Sequence, residues 1–303
     1  MSKRLLVLAA AAAMSTTALT GCNLGDDDER PSVVVGFYPI EFLTSRIGGD
    51  HLNITSLAAP GVEPHDLELK PRQAAKITDA DLVVHLDGFQ PAVDDAIKEH
   101  NPKAGYNIAE STTLKKGYVP EESHEEGEVH QDGEDTDPHV WLDPTRMQAM
   151  ADGLLKKLEK IDPSHKSEFR DNTRALKTEL GQLDTDYQDS LANCGSRTFV
   201  TSHNAFGYLA ERYQLTQLAI SGIDPENEPS PERMREITDL AQANNTTVIF
   251  TEELVSSKVA DTIATQLGAR VEVLNPLEPV EGKDDYLSAM RDNLSKLRGA
   301  MSC

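Results

Sequence analysis

Twice along this chain, four short β-branched runs alternate with helical stretches, and one long Pro-free stretch separates the two sets. The first set is "SVVVGF" (32–37), "LNITSLA" (52–58), "DLVVHL" (81–86) and "GYNIA" (105–109), with helical patterns at 40–49, 72–80 and 91–100 between them. The second is "RTFVTS" (197–202), "LTQLAI" (215–220), "TVIFT" (247–251) and "RVEVL" (270–274), with helices expected at 205–213, 231–245, 256–268 and 283–301. Strands that alternate with helices build a parallel sheet with helices on its faces. Residues 163–192 carry no Pro after 163 and no Gly until 181. A single helix there would run roughly 45 Å; the alternative is two helices broken at Gly181. The expected fold class is α/β with two lobes. Each lobe is a four-stranded, mainly parallel sheet flanked by helices, and one long rigid helix joins them. The expected division is an N-terminal lobe at 32–162, a connecting helix at 163–192 and a C-terminal lobe at 193–303.

Charge and the N-terminus restrict what such a protein can meet. The 303 residues carry a formal charge of −22, which argues against nucleic acid and anionic lipid surfaces as partners. "MSKRLLVLAAAAAMSTTALTGC" has basic residues at its start, an apolar stretch from Leu5 to Met14 and a small-residue ending. That is the pattern of a secretory signal over 1–21, too short to span a bilayer. Its last four residues, Leu19-Thr20-Gly21-Cys22, resemble a bacterial lipobox. The resemblance implies a lipidated Cys22, a solvated tether over 22–31 and a place outside the cytoplasm. Of the three cysteines, Cys194 and Cys303 then remain in a compartment where disulfides persist. They are expected to pair.

A second interruption has a different character. Residues 120–136 are dominated by Asp and Glu, with His124 and His130 among them, and read as an exposed loop. The pattern then flips to "DPHVWLDP" (137–144). Of nine histidines, His85 lies inside a strand pattern, and His51, His100 and His165 fall at helix ends and read as solvated. Three others sit where loops leave strands: His65 in "EPHD", His139 in "DPHV" and His203 in "TSHNAF". In open α/β sheets ligands bind outside the carboxyl ends of strands, and neutral imidazole suits a tetrahedral cation site. Pro64 and Pro138 restrict the backbone just before two of these histidines. Trp141, Leu142 and Phe206 are placed to exclude water.

Taken together, "PHD", "DPHVWLDP", "SHNAFGYLAERY", "EPSPERM" and "VLNPLE" resemble the zinc-binding group of metal-specific solute-binding proteins of ABC uptake transporters. That is cluster A-I, the family that also includes laminin-binding lipoproteins. The resemblance covers nearly the whole chain after the signal. It implies two α/β lobes joined by a long helix, with the metal in the cleft between them, held by His65 and His139 from the first lobe and His203 from the second. Many relatives carry Asp where this chain has Asn275. The resemblance to the "NPLE" form favours Glu278 as the fourth ligand, with Asn275 or water as alternatives. Glu63 and Glu252 are expected to orient histidines. Three His and one carboxylate suit zinc; manganese-specific relatives set two carboxylates against two His.

The function so implied is a monomeric zinc-capturing receptor. It is lipid-anchored on the outer face of the cytoplasmic membrane and delivers Zn²⁺ to an ABC transporter membrane permease without performing catalysis. The competing readings are a zinc-dependent hydrolase, a manganese-binding receptor, and an adhesin of the same family. Against the hydrolase, the chain holds no H-E-x-x-H helix.

Overall fold

The computed structural model describes residues 29–117, 136–278 and 285–303. The expected signal 1–21, Cys22, the tether up to residue 28, and the acidic loop apart from Thr136 lie outside the described residues, as do His124 and His130.

The N-terminal lobe holds β1 (Ser32–Val35), α1 (Tyr38–Gly48), β2 (Asn53–Ser56), α2 (Pro71–Thr78), β3 (Leu82–His85), α3 (Pro91–His100) and β4 (Gly105–Asn107). A short antiparallel ladder follows, β5 (Lys115–Lys116) with β6 (Thr136–Asp137), and then α4 (Pro144–Ile161). After α5 (Lys166–Leu191), the C-terminal lobe holds β7 (Thr198–Thr201), α6 (Gly207–Arg212), β8 (Thr216–Ala219), α7 (Pro231–Ala243), β9 (Val248–Thr251), α8 (Lys258–Leu267), β10 (Arg270–Val273) and α9 (Tyr286–Met301). The strand orders are β2-β1-β3-β4 and β10-β9-β7-β8, parallel throughout. In each sheet the first strand of the lobe is central, so the chain leaves it in both directions.

The two periods of the sequence account for the layers. Val33, Val34 and Val35 are all fully buried, because a parallel sheet is covered on both faces. Alternate residues point to opposite faces, so Val33 and Val35 enter one core and Val34 another. In the second sheet Phe199, Val248 and Phe250 face inward, and Val200 and Ile249 face outward. The inner faces of both sheets, with α1, α4, α5 and α9, form one continuous apolar core. Each outer face has its own smaller core. The lobes therefore share their largest buried volume.

α5 is the spine of that shared core. It runs unbroken through Gly181 for 26 residues, about 39 Å. Phe169, Thr173, Leu176, Leu180, Leu183, Tyr187 and Leu191 form its buried stripe at three- and four-residue spacing. Its residues up to Glu179 hold the N-terminal lobe: Asn172 Nδ2 donates to the Ile47 carbonyl at 3.0 Å, and Arg46 pairs with Glu179 at 2.7 Å. Its second half holds the C-terminal lobe: Tyr187 Oη donates to the Met290 carbonyl at 2.6 Å, and Arg212 forks onto Asp184 at 2.9 and 2.7 Å. The helix starts later than the sequence suggests. Pro163–His165 form a separate 3-10 turn, because the Asp162 carboxylate takes the Ser164 N–H and the His165 ring and turns the chain out of α4.

One further expectation is refined and another is met. His51 and His165 are not simply solvated: their rings stack at 3.7 Å, His51 bonded to Glu168 and His165 to Asp162. Cys194 and Cys303 form a disulfide, fastening the end of α9 to the segment before β7.

Candidate metal centre

Five strand ends approach one another across the cleft, β2 and β6 from the N-terminal lobe and β7, β9 and β10 from the C-terminal lobe. The loop after β2 brings His65, and the chain leaving β6 brings His139. Ser202 and His203 follow β7 directly, Glu252 follows β9, and the loop after β10 brings Glu278. One ligand atom from each of His65, His139, His203 and Glu278 lies within 4.8 Å of the others. The His139 and His203 Nε2 atoms are 3.2 Å apart. Glu278 Oε1 is 3.5 Å from His65 Nε2 and 3.6 Å from His139 Nε2. Four ligands at tetrahedral zinc, with bonds near 2.05 Å, stand about 3.3 Å from one another.

Local chemistry aims each side chain. In "DPH", the Asp137 Oδ1 accepts both the His139 main-chain N–H, at 3.0 Å, and the ring Nδ1–H, at 2.9 Å. The His203 Nδ1 bonds Glu252 Oε1 at 2.5 Å, and Ser202 Oγ donates to the same oxygen at 2.8 Å. With both Nδ1 atoms donating to carboxylates, the two Nε2 lone pairs face each other at 3.2 Å in a fully buried place. That arrangement is repulsive unless a proton or a cation lies between them.

Glu278 is presented by a strained turn. Asn275 Oδ1 accepts the Leu277 N–H at 2.6 Å, and Leu277 takes φ 69°, a left-handed conformation that costs a branched residue energy and marks functional positions. Asn293 clamps the same loop through the Asn275 main chain at 3.0 and 2.6 Å. Asn275, the alternative fourth ligand, thus spends its side-chain oxygen on shaping the loop. Behind the site, Trp141 Nε1 donates to the Pro276 carbonyl and Tyr286 Oη to the Trp141 carbonyl. Phe37 and Phe89 wedge edge-on against Trp141 and His65. Trp141, Leu142 and Phe206 are buried, as the apolar turn suggests.

The electrostatics are those of a cation site. Burial alone would raise the Glu278 carboxyl, but the His139 and His65 rings outweigh it and hold Glu278 far below the usual carboxylate range. Burial would lower His139, yet Asp137 and Glu278 reverse this and bring it to about 9. Burial lowers His65, and Glu278 opposes only in part. Glu63 is raised to about 8 by burial and by the nearby Glu278 charge. His65 Nε2, Glu278 Oε1, Glu63 Oε2 and Glu252 Oε2 are buried without a hydrogen-bond partner. Buried polar atoms are normally satisfied, and a divalent cation among them would satisfy the first two directly.

Glu252 holds a histidine ring as anticipated. Glu63 does not; its Oε1 accepts only the His65 main-chain N–H, at 3.2 Å. Asp137 was not singled out from the sequence, although "EPH" and "DPH" repeat one acid-Pro-His pattern. A second cluster, His85, Asp87 and Asp94, also converges. There the Asp94 carboxylate is fully used by His85 Nδ1 and the Gly88 N–H, both at 2.8 Å, so that group reads as a structural tie.

Residues 33–300 match the family model for the periplasmic zinc-uptake complex component A, ZnuA. The chain belongs to the ZnuA family. It is 33% identical over 304 residues to the high-affinity zinc uptake system protein ZnuA of Bacillus subtilis, an alignment that covers 97% of this chain and 94% of that one. It is 34% identical over 307 residues to the zinc-binding lipoprotein AdcA of Streptococcus pneumoniae, covering 98% of this chain and 61% of AdcA. The chain thus spans about three-fifths of that relative's length. The solved Zn(II)-bound ZnuA-like domain of pneumococcal AdcA superposes with a TM-score of 0.73 at 30% identity, covering 90% of this chain and all of that domain. Two sheets joined by a long helix are therefore the fold of this ZnuA-family chain. Among its described residues no helix is long and apolar enough to cross a membrane.

Proposed function

We propose that this ZnuA-family protein is an extracytoplasmic receptor that captures Zn²⁺ and delivers it to the membrane permease of an ABC transporter. His65, His139, His203 and Glu278 are the ligands, and zinc is cargo rather than a resident cofactor. The receptor acts as a monomer, anchored through a lipid on Cys22 to the outer face of the cytoplasmic membrane. Its working parts are the lobes 32–162 and 193–303 and the helix 163–192 between them.

The observation that carries this reading is the spacing of the four buried ligand atoms. Contacts of 3.2, 3.5 and 3.6 Å among these ligand atoms, of which His65 Nε2 and Glu278 Oε1 lack a hydrogen-bond partner, match the edges of a zinc tetrahedron. Three nitrogens with one carboxylate favour zinc over manganese, which prefers a richer oxygen set. A protein ligand at every corner suits storage and hand-over; catalytic zinc keeps one corner open for water.

The test is metal analysis of stripped protein reloaded with an equimolar Zn²⁺/Mn²⁺ mixture. One zinc per chain, held at least about 100-fold more weakly in His139→Ala, is expected. Bound manganese in place of zinc, or zinc held as tightly by His139→Ala as by the wild type, would refute the assignment. Glu278→Ala opens a corner to water, and a hydrolase reading requires the wild type to cleave ester or peptide substrates.

A further inference from the structure

The residue that orients His139 is itself held, through its main chain, from the other lobe. Lys115 and Asp137 are opposite partners in the β5–β6 ladder. Between them stands the Tyr208 hydroxyl: it accepts the Lys115 N–H at 2.8 Å and donates to the Asp137 carbonyl at 2.7 Å. Burial raises the phenol well above its ordinary pKa, so it stays a donor. Tyr208 belongs to α6, in the C-terminal lobe. The residue before it, Gly207, lies so close to Asp137 that a Cβ there would stand 2.8 Å from Asp137 Oδ2. Lys115 adds an ion pair to Glu211 on the same helix at 2.9 Å, and the Arg146 guanidinium sits 4.8 Å over the Tyr208 ring. The Gly207-Tyr208 step thus holds the Asp137 carbonyl through the hydroxyl and leaves room for its carboxylate only because residue 207 has no side chain.

We infer that Tyr208 is a positioning residue for the metal centre, setting the angle of His139 through Asp137, so that a ligand carried by the N-terminal lobe is aimed by the C-terminal lobe. This rests on the zinc-receptor reading above. It deepens that reading in one respect: the pocket geometry and the docking of the lobes become one variable. If α6 moves relative to β6, the Asp137–His139 bond loses its alignment and the site loses a ligand's aim. Hydrogen-bond partners of ligating histidines commonly change metal affinity 10- to 100-fold when removed. A residue one bond further out is expected to act more weakly, about 3- to 10-fold.

The experiment is a double-mutant cycle in zinc affinity, read by competition with a chromogenic chelator at fixed pH. It uses wild type, Tyr208→Phe, Asp137→Asn and the double variant, with melting temperatures of the metal-free proteins alongside. Tyr208→Phe should weaken zinc about 3- to 10-fold in the wild-type background and have no further effect once Asp137 is Asn. Its effect on metal-free melting should be alike in both backgrounds. Gly207→Ala, which keeps the hydroxyl and displaces the carboxylate, should also weaken zinc. An equal loss in both backgrounds, or none in either, would overturn the positioning role and leave Tyr208 a packing residue. A wild type that binds no zinc would instead bring down the receptor reading on which the inference rests.

Discussion

His65 and His139 follow the same acid-Pro pair, yet the two are held very differently. His139 is fully buried, its Nδ1 bonded to Asp137, its neighbours Trp141 and Tyr208 bonded across the cleft. His65 keeps a tenth of its side chain exposed, and among the described residues no carboxylate approaches its other ring nitrogen. One methylene makes the difference. Asp137 is short enough to reach both the main-chain N–H and the ring two residues on, whereas Glu63 reaches only the main chain. A preorganised ligand loses little freedom on binding, so in the proposed zinc centre His139 would supply a fixed corner and His65 one ordered by the metal.

The largest expected effect breaks the comparison at its rigid end. His139→Ala should lower zinc affinity by at least about 100-fold, because it removes a ligand and not merely that ligand's support. Asp137→Asn should cost about 10- to 100-fold. Glu63→Gln should change affinity less than about threefold near neutral pH. Glu63, at about 8, is largely protonated there and an amide mimics the neutral acid; a difference should open only above that pH. Chelator competition on the three variants across pH 6–9 ranks them.

Proton linkage sharpens the same contrast. His139, at about 9 in the metal-free protein, carries a proton at pH 7.5 that zinc must displace. Titration calorimetry in buffers of different ionisation enthalpy should find about one proton released per zinc from this residue. Loss of that release in Asp137→Asn would tie it to the Asp137–His139 pair. The same shift bears on stability. A histidine raised from 6.5 stabilises the fold below 6.5 and loses that contribution as pH rises through 9. Metal-free protein should therefore melt at lower temperature at pH 9 than at pH 6.5, and zinc-loaded protein should not follow this trend.

Much of this was legible in the chain. β-branched runs marked every long strand, and the Pro-free stretch marked α5, which crosses Gly181 because its apolar stripe continues unbroken on both sides. The three histidines and Glu278 could be named from the motifs. The β5–β6 ladder could not: "KK" and "TD" have no apolar alternation, and the pairing depends on a tyrosine more than seventy residues away. Asp137 opens "DPHVWLDP" without a role of its own in the sequence, and only its distance to the His139 ring shows its use. The His51–His165 stack joins residues far apart in sequence that no local pattern connects.

Two smaller effects concern the frame. Replacing Cys194 and Cys303 with Ala should cost about 2–5 kcal/mol in chemical denaturation, for a loop of this length, with zinc affinity unchanged, since the bridge lies at the far end of α9 from the centre. Because both lobes share one core around α5, zinc should alter the radius of gyration in small-angle scattering only slightly. A large compaction would mean that the core parts between the lobes.

The most direct measurement is X-ray absorption at the zinc edge on protein loaded with one equivalent. The four-ligand centre predicts a single shell of about four N/O scatterers near 2.0–2.1 Å, with outer-shell scattering from three imidazoles that falls to two in His139→Ala. Six oxygen-like neighbours, or imidazole scattering unchanged by His139→Ala, would contradict it.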